Sequence, residues 1–339
     1  PFASAAVRAN LRAPPQSATE PPMSDRPRVI VTRRLPETVE AALTERFDTV
    51  LNPDDTPFDA PRLAQAMTSA DAVLCTVGDR IDAAALGEAP RARLLANFAV
   101  GVNHIDLAAC AARGVAVSNT PGVLTDATAD IAMTLILMVL RRAAEGERMV
   151  RAGAWEGWAP TQLLGGDLGG RTLGIVGMGR IGQATARRAH HGFGMRILYT
   201  NRSEIDPGLP AQRMDLPELM ASADVISLHC PGGEANRGLI SAGLIARMRP
   251  GAALINTARG DVVDEPALVA ALETGRISAG LDVFEAEPAV PEALRKLDNA
   301  VLLPHLGSAT RETREAMGMK CVANLEAFFA GRPLPDPVD

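Results

Sequence analysis

Cysteine is scarce in this sequence, and positive charge is not in excess. The formal net charge is −6, so the chain has little with which to bind nucleic acid or an acidic membrane surface. Its four cysteines lie far apart without Cys-x-x-Cys spacing, which argues against a metal site and a disulfide scaffold and favours a reducing compartment such as the cytoplasm: Cys75, Cys110, Cys230 and Cys321.

Long apolar runs are also missing. The run that begins at Ala132 is interrupted by Thr134 and ends at Arg141, whereas a membrane-spanning helix needs about 20 apolar residues. We interpret it as a buried helix and expect no membrane association. Residues 1–22 contain five prolines but no apolar core of a signal peptide. We interpret them as a disordered extension of a cytoplasmic protein, with a targeting peptide as the alternative.

Short runs rich in Val, Ile and Leu alternate with helical stretches along the rest of the chain. This alternation is typical of parallel sheets covered by helices on both faces. Four strands are predicted in a first group, over residues 29–32, 72–77, 94–100 and 115–118. Six strands are predicted in a second group, over residues 172–176, 196–200, 223–228, 252–256, 278–283 and 300–303.

The two groups predict an α/β fold with two doubly wound parallel-sheet domains and a cleft between them. One is a flavodoxin-like substrate domain and the other a Rossmann cofactor domain. We place the first part of the substrate domain at residues 23–102 and the Rossmann domain at 103–305. A long helix is predicted over residues 125–151. The last helix comes too late for the second sheet, so we expect residues 306–339 to return to the first domain.

A glycine-rich loop follows the predicted strand at 172–176 and precedes a helical stretch. Gly177 permits a tight turn, Gly179 lets backbone approach a pyrophosphate, and Gly182 allows close packing of helix on strand. Arg180 and Ile181 complete the loop, and the helix N-terminus adds unpaired N–H groups and a partial positive charge. We interpret this loop as a dinucleotide site rather than a packing turn.

The tip of the next strand indicates which dinucleotide binds. NAD enzymes usually place a carboxylate there to hold the ribose hydroxyls, but this strand runs into Asn201, Arg202 and Ser203. Asn201 leaves room for a 2′-phosphate, Arg202 can bind its oxygens and Ser203 can donate a hydrogen bond. NADP(H) is therefore favoured. NAD(H) stays possible, because Glu204 and Asp206 are near and the segment also reads as a solvated turn.

Three candidate catalytic residues follow three successive predicted strands, where ligands of open α/β sheets bind. His305 can supply the proton that a carbonyl oxygen needs when hydride reaches its carbon. Glu287 can orient that ring and favour its charged form. Arg259 can pair with a substrate carboxylate and polarise the keto oxygen. Arg259 and Glu287 also read singly as surface charges, and His104 is a rival active-site histidine.

Taken together, these segments resemble the D-2-hydroxyacid dehydrogenases, and most closely their glyoxylate/hydroxypyruvate reductase branch. The resemblance implies reduction of a small 2-keto acid, such as glyoxylate or hydroxypyruvate, to the 2-hydroxy acid, in the D configuration where chiral. The matching stretches span nearly all of the chain after Met23: Asn97-Phe-Ala-Val-Gly-Val-Asn-His-Ile-Asp106, Asn119-Thr-Pro-Gly-Val123, Thr172 to Gly182, Asn256-Thr-Ala-Arg-Gly260, Gly280-Leu-Asp-Val-Phe284 with Glu287-Pro288, and Pro304-His-Leu-Gly307.

The resemblance also implies roles for individual residues. Arg259, Glu287 and His305 form the catalytic set, with His305 as acid/base assisted by Glu287. Backbone N–H groups of Val100 and Gly101 hold the substrate carboxylate.

The resemblance further implies which residues contact the cofactor and which contact a second subunit. Asp282 orients the nicotinamide carboxamide, and Cys230, Pro231 and Thr257 line the cofactor site. Trp158 occupies a place from which related reductases send a tryptophan across a homodimer interface into the partner's substrate site. We expect the segment from the long helix through this tryptophan to form that interface.

One segment departs from the family pattern, and other functions stay open. Pro231-Gly-Gly-Glu replaces the Pro-Leu-Thr-Pro that is often found there. A D-lactate-type or phosphoglycerate-type dehydrogenase would use the same machinery. An alternative that is not an enzyme is a binding protein that senses the dinucleotide, like the transcriptional corepressors that resemble this family.

Overall fold

The computed structural model describes residues 26–338, which fold around two parallel sheets. The α/β class with two parallel-sheet domains is confirmed. The interpretation of residues 1–22 as a disordered extension concerns residues outside the described range. Within residues 26–338, every helix is too short or too polar to cross a bilayer.

The first sheet has five parallel strands in the order β2-β1-β3-β4-β5, which is the flavodoxin-like order. All residues of β3 and β4 are buried, as expected for central strands covered on both faces. The strands are β1 (Arg28–Val31), β2 (Asp48–Val50), β3 (Ala72–Cys75), β4 (Leu94–Asn97) and β5 (Ala116–Ser118). The helices on this sheet are α1 (Glu37–Arg46), α2 (Ala60–Ser69), α3 (Ala83–Leu86) and α4 (Leu107–Ala112).

The single helix that the sequence predicts over residues 125–151 is wrong, because the chain forms α5 (Thr125–Leu140) and α6 (Ala143–Arg151). Arg142 between them has a left-handed φ of 51°. Its guanidinium donates to the Glu145 carboxylate at 2.7 and 2.8 Å, and the Leu140 carbonyl accepts from Gly166 N–H at 2.8 Å. α5 is largely buried against the second sheet, whereas α6 has no buried residue.

The second sheet has seven parallel strands in the order β12-β11-β10-β9-β6-β7-β8, the Rossmann order with one added strand. The strands are β6 (Thr172–Val176), β7 (Arg196–Thr200), β8 (Ala211–Arg213), β9 (Val225–Leu228), β10 (Ala253–Asn256), β11 (Ser278–Leu281) and β12 (Ala300–Leu302). The helices are α7 (Arg180–Arg187), α8 (Leu216–Ser222), α9 (Ala242–Arg247), α10 (Glu265–Glu273) and α11 (Glu292–Lys296). The strand order reverses between β6 and β9, so the crevice for a ligand lies above their carboxyl ends.

The last helix, α12 (Arg311–Phe329), packs on α1 and β4 of the first sheet. A side chain at Gly318 would collide with Val39 of α1, so this glycine lets the two helices approach closely. Beyond α12, Val338 N–H donates to the Val117 carbonyl of β5 at 2.9 Å. Both ends of the described chain therefore belong to one unit.

The predicted domain boundary between residues 102 and 103 is wrong. β5 pairs with β4 through Leu94 to Ala96 opposite Ala116 to Ser118, so the first sheet extends to residue 118. The chain leaves this sheet only after β5, on its way into α5. The turn at Gly101 thus lies inside the first unit, where it lines the cleft.

Candidate active site

A cleft of about 1900 Å³ lies between the two sheets, lined by segments that follow the carboxyl ends of strands from both. It brings together residues that are far apart in the sequence. Most of the predicted site residues line it: Val100, Gly101, Ile181, Cys230, Pro231, Thr257, Arg259, Asp282, Glu287 and His305.

His305 and Glu287 form a hydrogen-bonded pair in this cleft. His305 Nδ1 lies 2.8 Å from Glu287 Oε2, and Glu287 Oε1 accepts from Phe284 N–H at 3.0 Å. Burial by itself would raise the pKa of Glu287, but the hydrogen bond and charge of His305, with the charge of Arg259, outweigh it and lower that pKa. Glu287 is thus anionic at neutral pH, and among the described residues His305 Nε2 has no hydrogen-bond partner.

The backbone of His305 is strained, and Asp282 holds it. His305 has a φ of 55°, a left-handed conformation that costs energy for a residue with a side chain. Its N–H donates to the Asp282 carbonyl at 3.0 Å, and the buried Asp282 carboxylate accepts from the N–H groups of Leu306 and Gly307 at 2.6 and 2.8 Å. Burial raises the pKa of Asp282, although these two hydrogen bonds oppose the shift.

Arg259 reaches across the cleft and touches the first domain. Its Nε donates to Asn103 Oδ1 at 3.1 Å and its Nη1 to the Ala258 carbonyl at 2.7 Å. A Cβ atom at Gly101 would collide with Arg259 Nη2, so only a glycine allows this approach. Burial lowers the pKa of Arg259, although the negative charges of Glu287 and Asp261 raise it in part. The guanidinium nevertheless stays protonated.

The loop after β4 presents free amide donors beside Arg259. Within the described part of the chain, the N–H groups of Val100 and Gly101 have no acceptor. The carbonyls of these two residues, by contrast, accept hydrogen bonds from asparagine side chains. Asn119 Nδ2 donates to Val100 O at 2.9 Å and Asn97 Nδ2 to Gly101 O at 3.0 Å. Two unpaired N–H groups and a guanidinium are a suitable site for a carboxylate.

His104, the rival histidine, supports this loop instead. Its Nε2 lies 3.1 Å from Asn97 Oδ1. Burial and then the charge of Arg259 lower the pKa of His104 to about 4, so the ring is neutral at physiological pH. Sequence reasoning missed the amides of Asn97, Asn103 and Asn119, since an asparagine in a motif does not reveal which carbonyl or guanidinium it will meet.

The glycine loop fits a dinucleotide. Gly177 has a φ of 93°, and a Cβ there would lie 2.7 Å from Cys230 N. A Cβ at Gly182 would collide with the Gly177 carbonyl, whereas the space around Gly179 is open. Because α7 begins at Arg180, its first-turn N–H groups follow Gly179 directly. The buried Thr257 hydroxyl has no hydrogen-bond partner among residues 26–338 and adds a polar group in the adjoining cleft.

The tip of β7 lies beside this loop, because Gly177 N–H donates to the Thr200 carbonyl at 3.0 Å. Asn201 Nδ2 donates to the Ser203 carbonyl at 3.0 Å. The Arg202 side chain is exposed and makes no hydrogen bond or ion pair within residues 26–338. Burial raises the pKa of the Cys230 thiol to about 11, and the positive charge of Arg202 opposes this shift.

The Pro231 loop, which departs from the family pattern, packs tightly under Arg259. A Cβ at Gly232 would lie 2.7 Å from Arg259 Cβ and 2.6 Å from Asp261 Oδ1. Gly233 N–H donates to Asp261 Oδ2 at 2.9 Å. The two glycines therefore allow this loop to lie against the base of Arg259.

Trp158 does not line the cleft of its own chain. Its side chain is 82% exposed, in a segment after α6 that also exposes Trp155 and Leu164, and Val150 in the last turn of α6 is exposed as well. The predicted substrate contact of Trp158 thus requires a second subunit.

Comparisons with known proteins agree with this architecture. Residues 133–307 match the family model described as D-isomer specific 2-hydroxyacid dehydrogenase, NAD binding domain. A glyoxylate reductase of Thermococcus litoralis is 44% identical over 324 residues, which cover 93% of this chain and 97% of that protein.

Solved structures are similar over the same length. A putative D-isomer specific 2-hydroxyacid dehydrogenase from a Polaromonas species has a TM-score of 0.86 and 40% identity, covering 93% of this chain and 100% of that one. An NADPH-dependent glyoxylate/hydroxypyruvate reductase of Sinorhizobium meliloti, solved with NADP and malonate, has a TM-score of 0.83 and 38% identity, covering 93% and 97%.

The sequence identity, the match to the family model and the two-domain architecture agree with one another, and the glycine loop accounts for dinucleotide binding. This chain belongs to the D-isomer specific 2-hydroxyacid dehydrogenase family.

Proposed function

We propose that this chain reduces a small 2-keto acid, glyoxylate or hydroxypyruvate, to the 2-hydroxy acid, with NADPH as the preferred reductant. One observation carries the proposal: the His305–Glu287 pair and the Arg259–Gly101 contact line the same cleft, next to a loop that fits a dinucleotide. The relatives named glyoxylate reductase and glyoxylate/hydroxypyruvate reductase support the choice of substrate.

The proposed chemistry assigns each group one task. Arg259 and the N–H groups of Val100 and Gly101 bind the substrate carboxylate, and Arg259 polarises the keto oxygen. His305 donates a proton from Nε2 to that oxygen as it gains negative charge, while Glu287 holds Nδ1 and stabilises the charged ring.

The cofactor is held by a separate set of residues. The hydride for the carbonyl carbon is the chemistry that a bound nicotinamide supplies. The residues that would hold the dinucleotide are Gly177, Gly179, Arg180, Ile181, Gly182, Asn201, Arg202, Ser203, Cys230, Pro231, Thr257 and Asp282. The free thiols of the chain suit a reducing compartment, and we place the enzyme in the cytoplasm.

Steady-state assays test this proposal against its alternatives. Glyoxylate, hydroxypyruvate, pyruvate and 3-phosphohydroxypyruvate are each assayed with NADPH and with NADH. We expect the highest kcat/KM with glyoxylate or hydroxypyruvate and NADPH. A preference for pyruvate or for the phosphorylated acid would favour a D-lactate-type or phosphoglycerate-type enzyme, and binding of dinucleotide without turnover would favour a sensing protein.

Replacing His305 with alanine should lower kcat by about 10²- to 10⁴-fold, because general acid catalysis contributes about that much. The Kd for NADPH, measured by calorimetry, should stay close to the wild-type value. The exposed His191 provides a matched His191→Ala control that should leave both unchanged. Near-normal turnover of His305→Ala would remove His305 from its role.

Replacing Glu287 with glutamine should move the alkaline limb of the kcat/KM profile to lower pH, because a neutral amide does not favour the charged ring as the Glu287 carboxylate does. The limb moves to lower pH because reduction needs the protonated donor, and without the carboxylate that form is lost at a lower pH than in the wild type. The exposed Glu285 provides a Glu285→Gln control. An unchanged profile would mean that Glu287 only fixes the loop.

Replacing Arg202 with alanine should raise KM for NADPH about tenfold or more while changing KM for NADH little, because only NADPH carries the phosphate that a guanidinium binds. Asn201→Asp should push the preference further toward NADH, since a carboxylate repels the phosphate and accepts from the ribose hydroxyls. Wild-type protein that already prefers NADH, or an equal effect of Arg202→Ala on both cofactors, contradicts the assignment.

We further propose a homodimer whose interface includes the segment after α6. Trp158 is 82% exposed and Leu164 is 65% exposed, and a surface of this kind is typical of association sites. α5 itself is largely covered by the second sheet, so the expected apolar surface lies beyond it. Sedimentation should give a dimer that Trp158→Asp weakens; a stable, fully active wild-type monomer at assay concentrations contradicts this.

A further inference from the structure

The short edge strand β8 ends in an arginine that reaches over the tip of β7. Arg213 is paired in register with Tyr199, so it stands at the carboxyl end of the sheet. Its Nη2 donates to the Asn201 carbonyl at 2.9 Å and lies 3.3 Å from the Arg202 carbonyl. Arg213 thus holds the backbone of the two residues that are expected to select the cofactor.

These contacts leave most of the guanidinium free. Within residues 26–338 Arg213 makes its hydrogen bonds through Nη2 alone and forms no ion pair with a carboxylate. Two carbonyls do not neutralise a positive charge. The charge and several N–H donors therefore stay available at an exposed position beside Arg202.

A depression of about 380 Å³ adjoins this guanidinium. It is lined by Thr200, Asn201, Arg213, Met214 and Asp215. Asp215 contributes a carboxylate to the same wall, but it makes no ion pair with Arg213 in the described chain. The depression lies at the tip of the strand where the adenosine ribose of a dinucleotide is expected.

We propose that Arg213 is a second specificity-determining residue for the 2′-phosphate of NADPH. It fixes the Asn201–Arg202 backbone through Nη2 and adds a second positive charge to that of Arg202. A phosphate with close to two negative charges is bound best by more than one cation, and guanidinium groups suit its oxygens. This inference rests on the proposed preference for NADPH.

The test measures binding of adenosine 2′,5′-bisphosphate and of AMP, which differ only in the 2′-phosphate, by calorimetry. We expect wild-type protein to bind the bisphosphate at least tenfold more tightly. Arg213→Gln keeps an amide donor for the two carbonyls but removes the charge. It should weaken bisphosphate binding about tenfold and change AMP binding less than twofold.

Two further variants make the result specific. Arg213→Lys keeps the positive charge but loses the forked donors of the guanidinium, so it should retain part of the discrimination between the two nucleotides. It also provides a test if Arg213→Gln folds poorly. Arg247→Gln removes the same charge from an exposed site at the end of α9 and should behave as wild type. Added salt should reduce the wild-type preference, because the contact is exposed.

The outcomes separate this inference from the function on which it rests. Equal wild-type binding of the two nucleotides overturns the preference for NADPH, and this inference with it. Wild-type discrimination that Arg213→Gln retains overturns the role of Arg213 alone and leaves Arg202 as the determinant. Equal weakening of both nucleotides in Arg213→Gln, with Arg213→Lys no better, makes Arg213 a purely structural support and also overturns the inference.

Discussion

The contact between Arg259 and the loop after β4 is the constraint on which the candidate site depends. It joins the two domains, because Arg259 follows β10 of the second sheet while Asn103 and Gly101 belong to the first unit. The contact needs glycines on two sides: a side chain at Gly101 would collide with the guanidinium, and one at Gly232 would press on its base. A largely enclosed cation is costly unless it is paired. The charges of Glu287 and Asp261 offset that cost and leave the guanidinium facing the cleft.

The proton-donating side of the site is arranged by a second set of contacts. Asp282 binds three successive backbone N–H groups, of His305, Leu306 and Gly307, and so keeps a left-handed histidine in place. Glu287 then fixes the ring through Nδ1. Strain at a single residue persists only when several contacts determine it together. Asp282 thus fixes the backbone of His305 and its neighbours, and Glu287 fixes the ring, which leaves Nε2 for the substrate.

The local sequence pattern predicted the central strands of the fold, but it did not predict two edge strands or the break between α5 and α6. The sequence predicts β6 and β7 with the bounds that the structure has, because these apolar strands are bounded by turn-forming residues. It misses β2 and β8, because these two edge strands are mostly polar and have no buried residue, whereas the equally short edge strands β5 and β12 are more apolar and were predicted. It also joins α5 to α6, because the left-handed Arg142 between them is no typical helix-ending residue.

The sequence by itself determined the family, the sheet class, the glycine loop and the positions of Arg259, Glu287 and His305. These features depend on residue types that follow strands, and parallel strands bring their carboxyl ends to one edge whatever the details of packing. Only the tertiary structure decided which groups support them. The amides of Asn97, Asn103 and Asn119 and the guanidinium of Arg213 act on partners that lie elsewhere along the chain. Their roles depend on which donors and acceptors face each other in space, and a residue's neighbours in sequence do not fix that.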